Sequence, residues 1–222
     1  MHWFFAVTAK TAVPNTRTLR SQKVHPKYSV VLDLNGLLVH RVWKEETEYR
    51  PGYVEFLNWL HEIVHSITIW SAAQTKKVDY MVKHLIWNTR LERGKIHVMS
   101  QEACTVSSAK RQSNPHKPYF LKDVEKVARQ TRLESTDYIL LIDDSPEKNL
   151  LNSEFQAIHP STWSGDVQDK FLNTVLKPWL EGLFSSAQVV PTYVEANPLP
   201  GGQSPIGKDS PLAQHILGGI AS

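Results

Sequence analysis

Apolar runs in this chain stop repeatedly on polar groups. Asp33 ends "YSVVLDL", Ser71 ends "SITIWSA", and Asp143 with Asp144 ends "DYILLIDDS". Lys122 lies in "YFLKDVEKVARQ", and Lys117 stands just before that segment. A carboxylate held at a strand end can attack phosphorus and form an acyl phosphate. The dense charge of a phosphoryl group must then be offset. Mg2+ takes oxygen ligands such as Asp33 and Asp144 offer. The Ser71 hydroxyl can hold a phosphate oxygen, and Lys122 or Lys117 can balance the nucleophile and the phosphoryl charge. Each residue alone also has a plain structural reading. Asn35-Gly36 is a common turn pair, Ser71 a strand-end hydroxyl, and Lys122 a solvated helix residue. Asp143 to Pro146 has the form of a helix cap followed by proline. The order of the four segments is more specific than any one of them.

These groups need a frame. "YSVVLDL", "SITIWSA", "KIHVMS", "DYILLIDDS" and "FQAIHP" read as short buried strands. "RPGYVEFLNWLHEIV" reads as a helix with Phe56, Leu57, Leu60, Ile63 and Val64 on its apolar stripe. A second helix runs from about Lys76 to Trp87, with Val78, Met81, Val82 and Leu85 on one face. "YFLKDVEKVARQ" reads as helical, and "DVQDKFLNTVLKPWLEGLF" as a closing helix broken near Pro178. Residues 100–116 read as polar and irregular. Alternating strands and helices imply an α/β fold, a Rossmann-like, mostly parallel sheet with helices on both faces. Ligands of such sheets sit at the carboxyl ends of the strands, where Asp33, Ser71, Asp143 and Asp144 are expected.

Composition narrows the class. The chain has 222 residues, 41% apolar and 21% charged, with a net charge of +3. That is ordinary for a globular domain, and no block of like charge suggests direct nucleic-acid binding. Cys104 is the single cysteine, so no internal disulfide argues for secretion. No apolar run reaches the ~18 residues of a transmembrane helix. The first acidic residue is Asp33, whereas Lys10, Arg17, Arg20, Lys23 and Lys27 precede it. Residues 1–26 thus read as a basic tail or a transit segment, 27–184 as the domain, and 185–222 as a Pro/Gly-rich tail.

Several segments resemble the haloacid dehalogenase superfamily. More narrowly, they are similar to the branch of RNA polymerase II C-terminal-domain phosphatases and nuclear-LIM-interactor-like phosphatases. "VVLDLNGLLVH" resembles the first motif and "YRPGYVEFLNWL" the segment after it. "ITIWSAA" resembles the second motif, "FLKDVEKV" the lysine motif, and "LLIDDSPEKN" the fourth. "TWSGDVQDKFLNTVLKPWLEGL" is similar to the closing helix, and "TYVEANPLPGGQSPI" to plant members. The resemblance implies a haloacid-dehalogenase-like fold and Mg2+-dependent removal of phosphate from a phosphorylated protein, in the nucleus or cytoplasm. It implies Asp33 as nucleophile, position 35 as acid/base with its carbonyl on the metal, and Ser71 on the phosphate. It also implies Lys122 against the phosphoryl-aspartate and Asp144 on the metal, with Asp143 shaping the metal shell.

Two positions depart from the branch, which has Asp and Thr where this chain has Asn35 and Leu37. An amide keeps the size and the backbone carbonyl of Asp but carries no proton to exchange near pH 7. Losing a positioned acid/base costs on the order of 100- to 10,000-fold. A slow enzyme, or a binding protein with a relic site, is therefore expected. The alternative within the branch is a non-catalytic, presequence-binding subunit of the mitochondrial inner-membrane translocase. The acid-free N-terminus suits that role, and the absence of a membrane anchor opposes it. A remote alternative is "HEIVH", residues 61–65, which fits the zinc-protease pattern with His61 and His65 as ligands and Glu62 as base.

Overall fold

The computed structural model describes residues 25–41, 47–111 and 114–220. The basic N-terminal stretch lies outside the described residues, apart from its last positions. At the centre is a five-stranded parallel sheet. Its strands are β1 (His25–Leu32), β4 (Val64–Trp70), β5 (Ile96–Met99), β8 (Ile139–Ile142) and β9 (Ala157–Ile158), in the order β5-β4-β1-β8-β9. Two antiparallel pairs flank it: β2 (Val39–Arg41) with β3 (Thr47–Tyr49), and β6 (Thr105–Ser107) with β7 (Tyr119–Leu121).

The strand alternation of period two splits the core. Val30 and Leu32 point to one face, where they meet Phe56, Leu57 and Leu60 of α1 (Tyr53–Ile63). The same cluster holds Val78, Met81 and Leu85 of α2 (Thr75–Trp87), with Leu180 and Leu183 of α4 (Lys177–Ser186). Val31 points the other way, onto Val124, Val127 and Ala128 of α3 (Val124–Thr131). Fully burying one such aliphatic side chain contributes ~1.5–3 kcal/mol. Both faces are covered, so β8 and residues 30–32 of β1 are apolar on both sides, and the buried Ser29 hydroxyl is paired with Ser66 of β4.

The five core strands and the first two helices match the sequence expectation. Four features differ. Lys122 does not sit in a helix: Tyr119–Leu121 pair with Thr105–Ser107 as β7, and Asp123 then caps α3 by accepting from the Glu125 amide. Residues 105–107 consequently form a strand rather than an irregular loop. The closing helix begins as a wide π-type turn over Leu172–Leu176, then narrows into α4 with Pro178 in its first turn. Pro178 has no N–H to give the carbonyl four residues earlier. The segment after Ser185 carries α5 (Val190–Ala196) and α6 (Pro211–Leu217), and both pack on the body of the molecule.

Candidate active site

Strand register brings the acidic groups together. Leu32 pairs with Ile142 across β1 and β8, and the Asp33 amide donates to the Ile142 carbonyl at 2.9 Å. The next residues, Asp33 and Asp143, therefore emerge side by side at the carboxyl edge. Ser71 follows β4, its amide bound to the Met99 carbonyl at 3.0 Å. Its hydroxyl accepts from the Ala73 amide at 3.3 Å, which leaves the hydroxyl proton able to donate.

Lys122 reaches this edge from β7 and is fully buried. Its Nζ donates to Asp33 Oδ1 at 2.6 Å, to Asp143 Oδ2 at 2.5 Å and to the Trp70 carbonyl at 2.5 Å. Of the two lysines weighed from the sequence, this one meets the nucleophile candidate, while Lys117 lies exposed on the cavity rim. A second ammonium group escaped the sequence reading. Lys148 Nζ donates to Asp143 Oδ1 at 2.9 Å and stands 3.5 Å from Asp33 Oδ1. Its signal lay in "DDSPEKN", where a 3-10 turn over Pro146–Asn149 swings a lysine back onto the strand end. Asn152 was also missed. Its side chain donates to the Lys122 carbonyl at 2.7 Å and accepts from the Val124 amide at 2.9 Å, fixing the backbone that carries Lys122.

Three carboxylates thus face two buried ammonium groups. Burial, reinforced by Asp143, pushes the Asp33 carboxyl above its ordinary range, against the pull of Lys122 and Lys148. Burial opposes ionisation of Asp143 too, but Lys122 and Lys148 outweigh it and hold that carboxyl low. Burial raises Asp144 as well. Burial would depress Lys148, yet Asp143, Asp33 and Asp144 together raise it.

Asn35 projects into an open cavity of about 220 Å3 whose lining also includes Asp33, Ser71, Asp144 and Lys148. Leu37 is not on that lining: it is fully buried in the apolar cluster beneath the loop. Its replacement of the branch threonine is therefore a packing feature of this chain. Gly36 has φ +87°, and a Cβ there would collide with the Asp144 carboxylate. Glycine is required on both counts. Thr162 Oγ1 donates to Asp144 Oδ2 at 2.7 Å, and the Gln203 side chain donates to the Asp144 carbonyl at 2.7 Å. Arg50 is buried and holds the loop from outside. It donates to the Leu37 carbonyl at 3.2 Å and grips Asp169 through two bonds of 2.8 and 2.9 Å.

Asp33, Asp143 and Asp144 offer ligand oxygens within 4.8 Å of one another, the one such group among the described residues. An all-oxygen set suits a hard cation. Both Asp143 oxygens accept from lysines, whereas the Asp144 oxygens accept from the neutral hydroxyls of Ser145 and Thr162. The zinc-protease geometry is not formed. α1 ends at Ile63, so His65 lies in β4 while His61 Nε2 accepts from the Glu92 amide at 3.2 Å. The two imidazoles do not share a helix face.

Solved structures with similar chain traces include Fcp1, an essential RNA polymerase II CTD phosphatase (12% identity, TM-score 0.43). That match covers 78% of this chain and 53% of Fcp1. A variant of fission yeast Fcp1 bound to beryllium fluoride matches at 11% identity with TM-score 0.42, covering 78% and 54%. The chain thus spans about half the length of these structures. No curated protein matches the sequence. The family model of NLI interacting factor-like phosphatases matches residues 28–190, the span that holds the sheet, both lysines and all three aspartates. The chain belongs to the NLI interacting factor-like phosphatase family.

Proposed function

We propose that this chain is a Mg2+-dependent phosphatase for phosphoserine or phosphothreonine in proteins, with Asp33 as nucleophile and an impaired second half-reaction. The observation that carries the reading is the 2.6 Å contact of Lys122 with Asp33 beside Asp144, at the mouth of a cavity lined by Ser71. The phosphoprotein class rests on the branch resemblance of the motif segments, and a nuclear or cytoplasmic setting goes with it.

In the first step an Asp33 oxygen attacks phosphorus, and the bond from phosphorus to the substrate oxygen breaks. Lys122 and Lys148 hold Asp33 in place and balance its charge. Ser71 donates to a phosphoryl oxygen. Mg2+ held by Asp33, Asp144 and the Asn35 carbonyl would offset the charge on the phosphoryl oxygens. The leaving serine or threonine oxygen must gain a proton in that first step. In the second step water attacks the phosphoryl-aspartate and must lose a proton, the bond from phosphorus to Asp33 breaks, and inorganic phosphate departs. Asn35 occupies the place from which a carboxyl would serve both transfers, and an amide does neither. Attack by a carboxylate needs no base, so the phosphoryl-aspartate should outlast its usual lifetime.

A presequence receptor fits less well. Among the described residues the cavity rim carries Arg41, Arg111 and Lys117, which repel a basic targeting peptide.

The test is Mg2+-dependent hydrolysis of a small aryl phosphate by the wild type and Asn35→Asp. The substitution should raise steady-state turnover at least tenfold, a conservative share of the ~100- to 10,000-fold attributed to acid/base help. The wild type should show a burst and trap phosphoryl-Asp33. An Asn35→Asp protein that binds Mg2+ yet stays inert, with no trapped wild-type intermediate, would leave a relic pocket and make the binding-protein reading the better one.

A further inference from the structure

A second groove opens beside the candidate active site. It has a volume of about 390 Å3 and runs between the β2–β3 pair and the first turns of α2. Among the described residues it is lined by Arg41, Lys76 and Lys77, together with Gln74, Thr47, Tyr80 and Met81. Arg41 lines both the groove and the catalytic cavity, so the two are neighbours.

Among the described residues the groove lining carries three cationic side chains and no carboxylate. Lys76 and Lys77 lie in the first turn of α2, which contains no acidic residue. Cations at a helix N-terminus oppose the helix dipole. The Gln74 cap makes no side-chain bond to the turn. Asp79 of α2, Glu48 of β3 and Glu102, which accepts from Thr75 and Ser100, lie near the groove, and none of the three is on its lining. Neither Lys76 nor Lys77 forms an ion pair among the described residues, and both are exposed. On the other rim of the cavity Arg111 is partly satisfied by Glu147 at 3.3 Å, whereas no carboxylate meets Arg41 among the described residues.

We infer that this groove is a substrate subsite for anionic groups flanking the phosphoresidue. The occupant is the same phosphoprotein segment, and its preferred flanks are acidic side chains or a further phosphorylated residue. The inference rests on the proposed phosphatase reading for the orientation of the peptide. The chemistry of the flank follows from the groove alone, because the ammonium groups of Lys76 and Lys77 act as point charges, and the Arg41 guanidinium as a two-pronged donor, toward carboxylate and phosphate alike.

The experiment is fluorescence-anisotropy binding of three phosphoserine peptides of equal length, in the presence of Mg2+. Their flanks on both sides carry glutamates, further phosphoserines, or glutamines. Acidic flanks should bind on the order of tenfold more tightly than glutamine flanks in low salt, a gap that shrinks as salt rises. Glutamate and phosphoserine arms that bind alike assign the site to carboxylate-rich segments. Clearly tighter phosphoserine binding assigns it to multiply phosphorylated ones. In Lys76→Glu/Lys77→Glu the ratio of acidic to neutral binding should fall to one or below. Both positions are solvent-facing, and an unchanged melting temperature checks the fold. A wild type without acid preference, or a preference that survives the charge reversal, would overturn the inference. Binding needs no turnover, so an inert enzyme in the aryl phosphate assay would sink the catalytic reading and still leave the groove decided.

Discussion

Lys122 shows how one residue can hold a site in a state it would not otherwise keep. Its single ammonium group joins Asp33, Asp143 and the Trp70 carbonyl, with no exposure to solvent. Removing one partner of a buried charge network costs ~3–5 kcal/mol because the other charges stay behind. Lys122→Met keeps the length and loses the charge. Its urea midpoint should fall accordingly, while its Mg2+ affinity should rise. Three carboxylates would then face Lys148 alone, and a divalent cation becomes the remaining counter-charge. Calorimetric titration and denaturation with and without Mg2+ check both halves. A variant that is destabilised and gains no Mg2+ affinity would show that the aspartates are not arranged for a cation. Sequence pattern picked out Lys122, Asp33 and Asp144 because each sits next to an apolar run in a recognisable motif. It missed Lys148 and Asn152, whose roles depend on a turn folding them back across the strand ends.

At the scale of elements, the parallel strands were legible and their fastenings were not. Buried runs such as "YSVVLDL" and "SITIWSA" announce themselves by composition, whereas "YFLKDV" reads as continuous helix until β6 pairs with it. That pairing is a long-range contact that no local propensity encodes. Arg50 is another fastening. It ties the loop after β1 to Asp169 ahead of the π-type turn, and it stacks on Phe171 with its guanidinium 4.6 Å from the ring centre. Burial works against ionisation of Asp169, but the bonds and charge of Arg50 outweigh it and hold the carboxyl below its ordinary 3.8. A depressed folded-state pKa contributes stability that is fully present above the unfolded value and is lost as pH falls through the folded one. The stability gap between wild type and Asp169→Asn should therefore be constant from neutrality to about pH 5 and shrink as the pH drops below the unfolded carboxylate value. Urea midpoints across that range decide it. A gap that persists unchanged down to pH 2 would mean that the pair contributes through packing of Phe171 and not through charge.

Across the whole molecule, the segment beyond the family match behaves as part of the machine. The match ends at residue 190, and sequence composition suggested a tail after Ser185. Pro191 and Pro211 instead start two short helices, and Gly218 ends the second. Ala213 and Ile216 of α6 are fully buried against Tyr119 and Leu121 of β7, the strand that delivers Lys122. Ser107 donates to the Ile216 carbonyl and Ser108 to Gly219. Between the helices, the Gln203 side chain donates to the carbonyls of Asp144 at 2.7 Å and Pro160 at 3.0 Å, and its amide to the His159 carbonyl at 2.7 Å. We propose that residues 191–220 act as a strap that sets two walls of the site at once. Gln203→Leu preserves volume and leaves two carbonyls without their donor, a loss of ~0.5–1.5 kcal/mol per bond because water reaches the exposed Asp144 end. If the strap positions Asp144, Mg2+ affinity should drop several-fold in this variant, and turnover at saturating Mg2+ should recover. The bond from the Gln203 backbone amide to the His159 carbonyl keeps the strap seated, so the melting temperature should move by only a few degrees. A variant with unaltered Mg2+ affinity and a large fall in melting temperature would assign the strap to stability alone. Ile216→Ala is the companion measurement. It should cost ~2–5 kcal/mol through the cavity it leaves, because its contacts reach β7 and not Asp144.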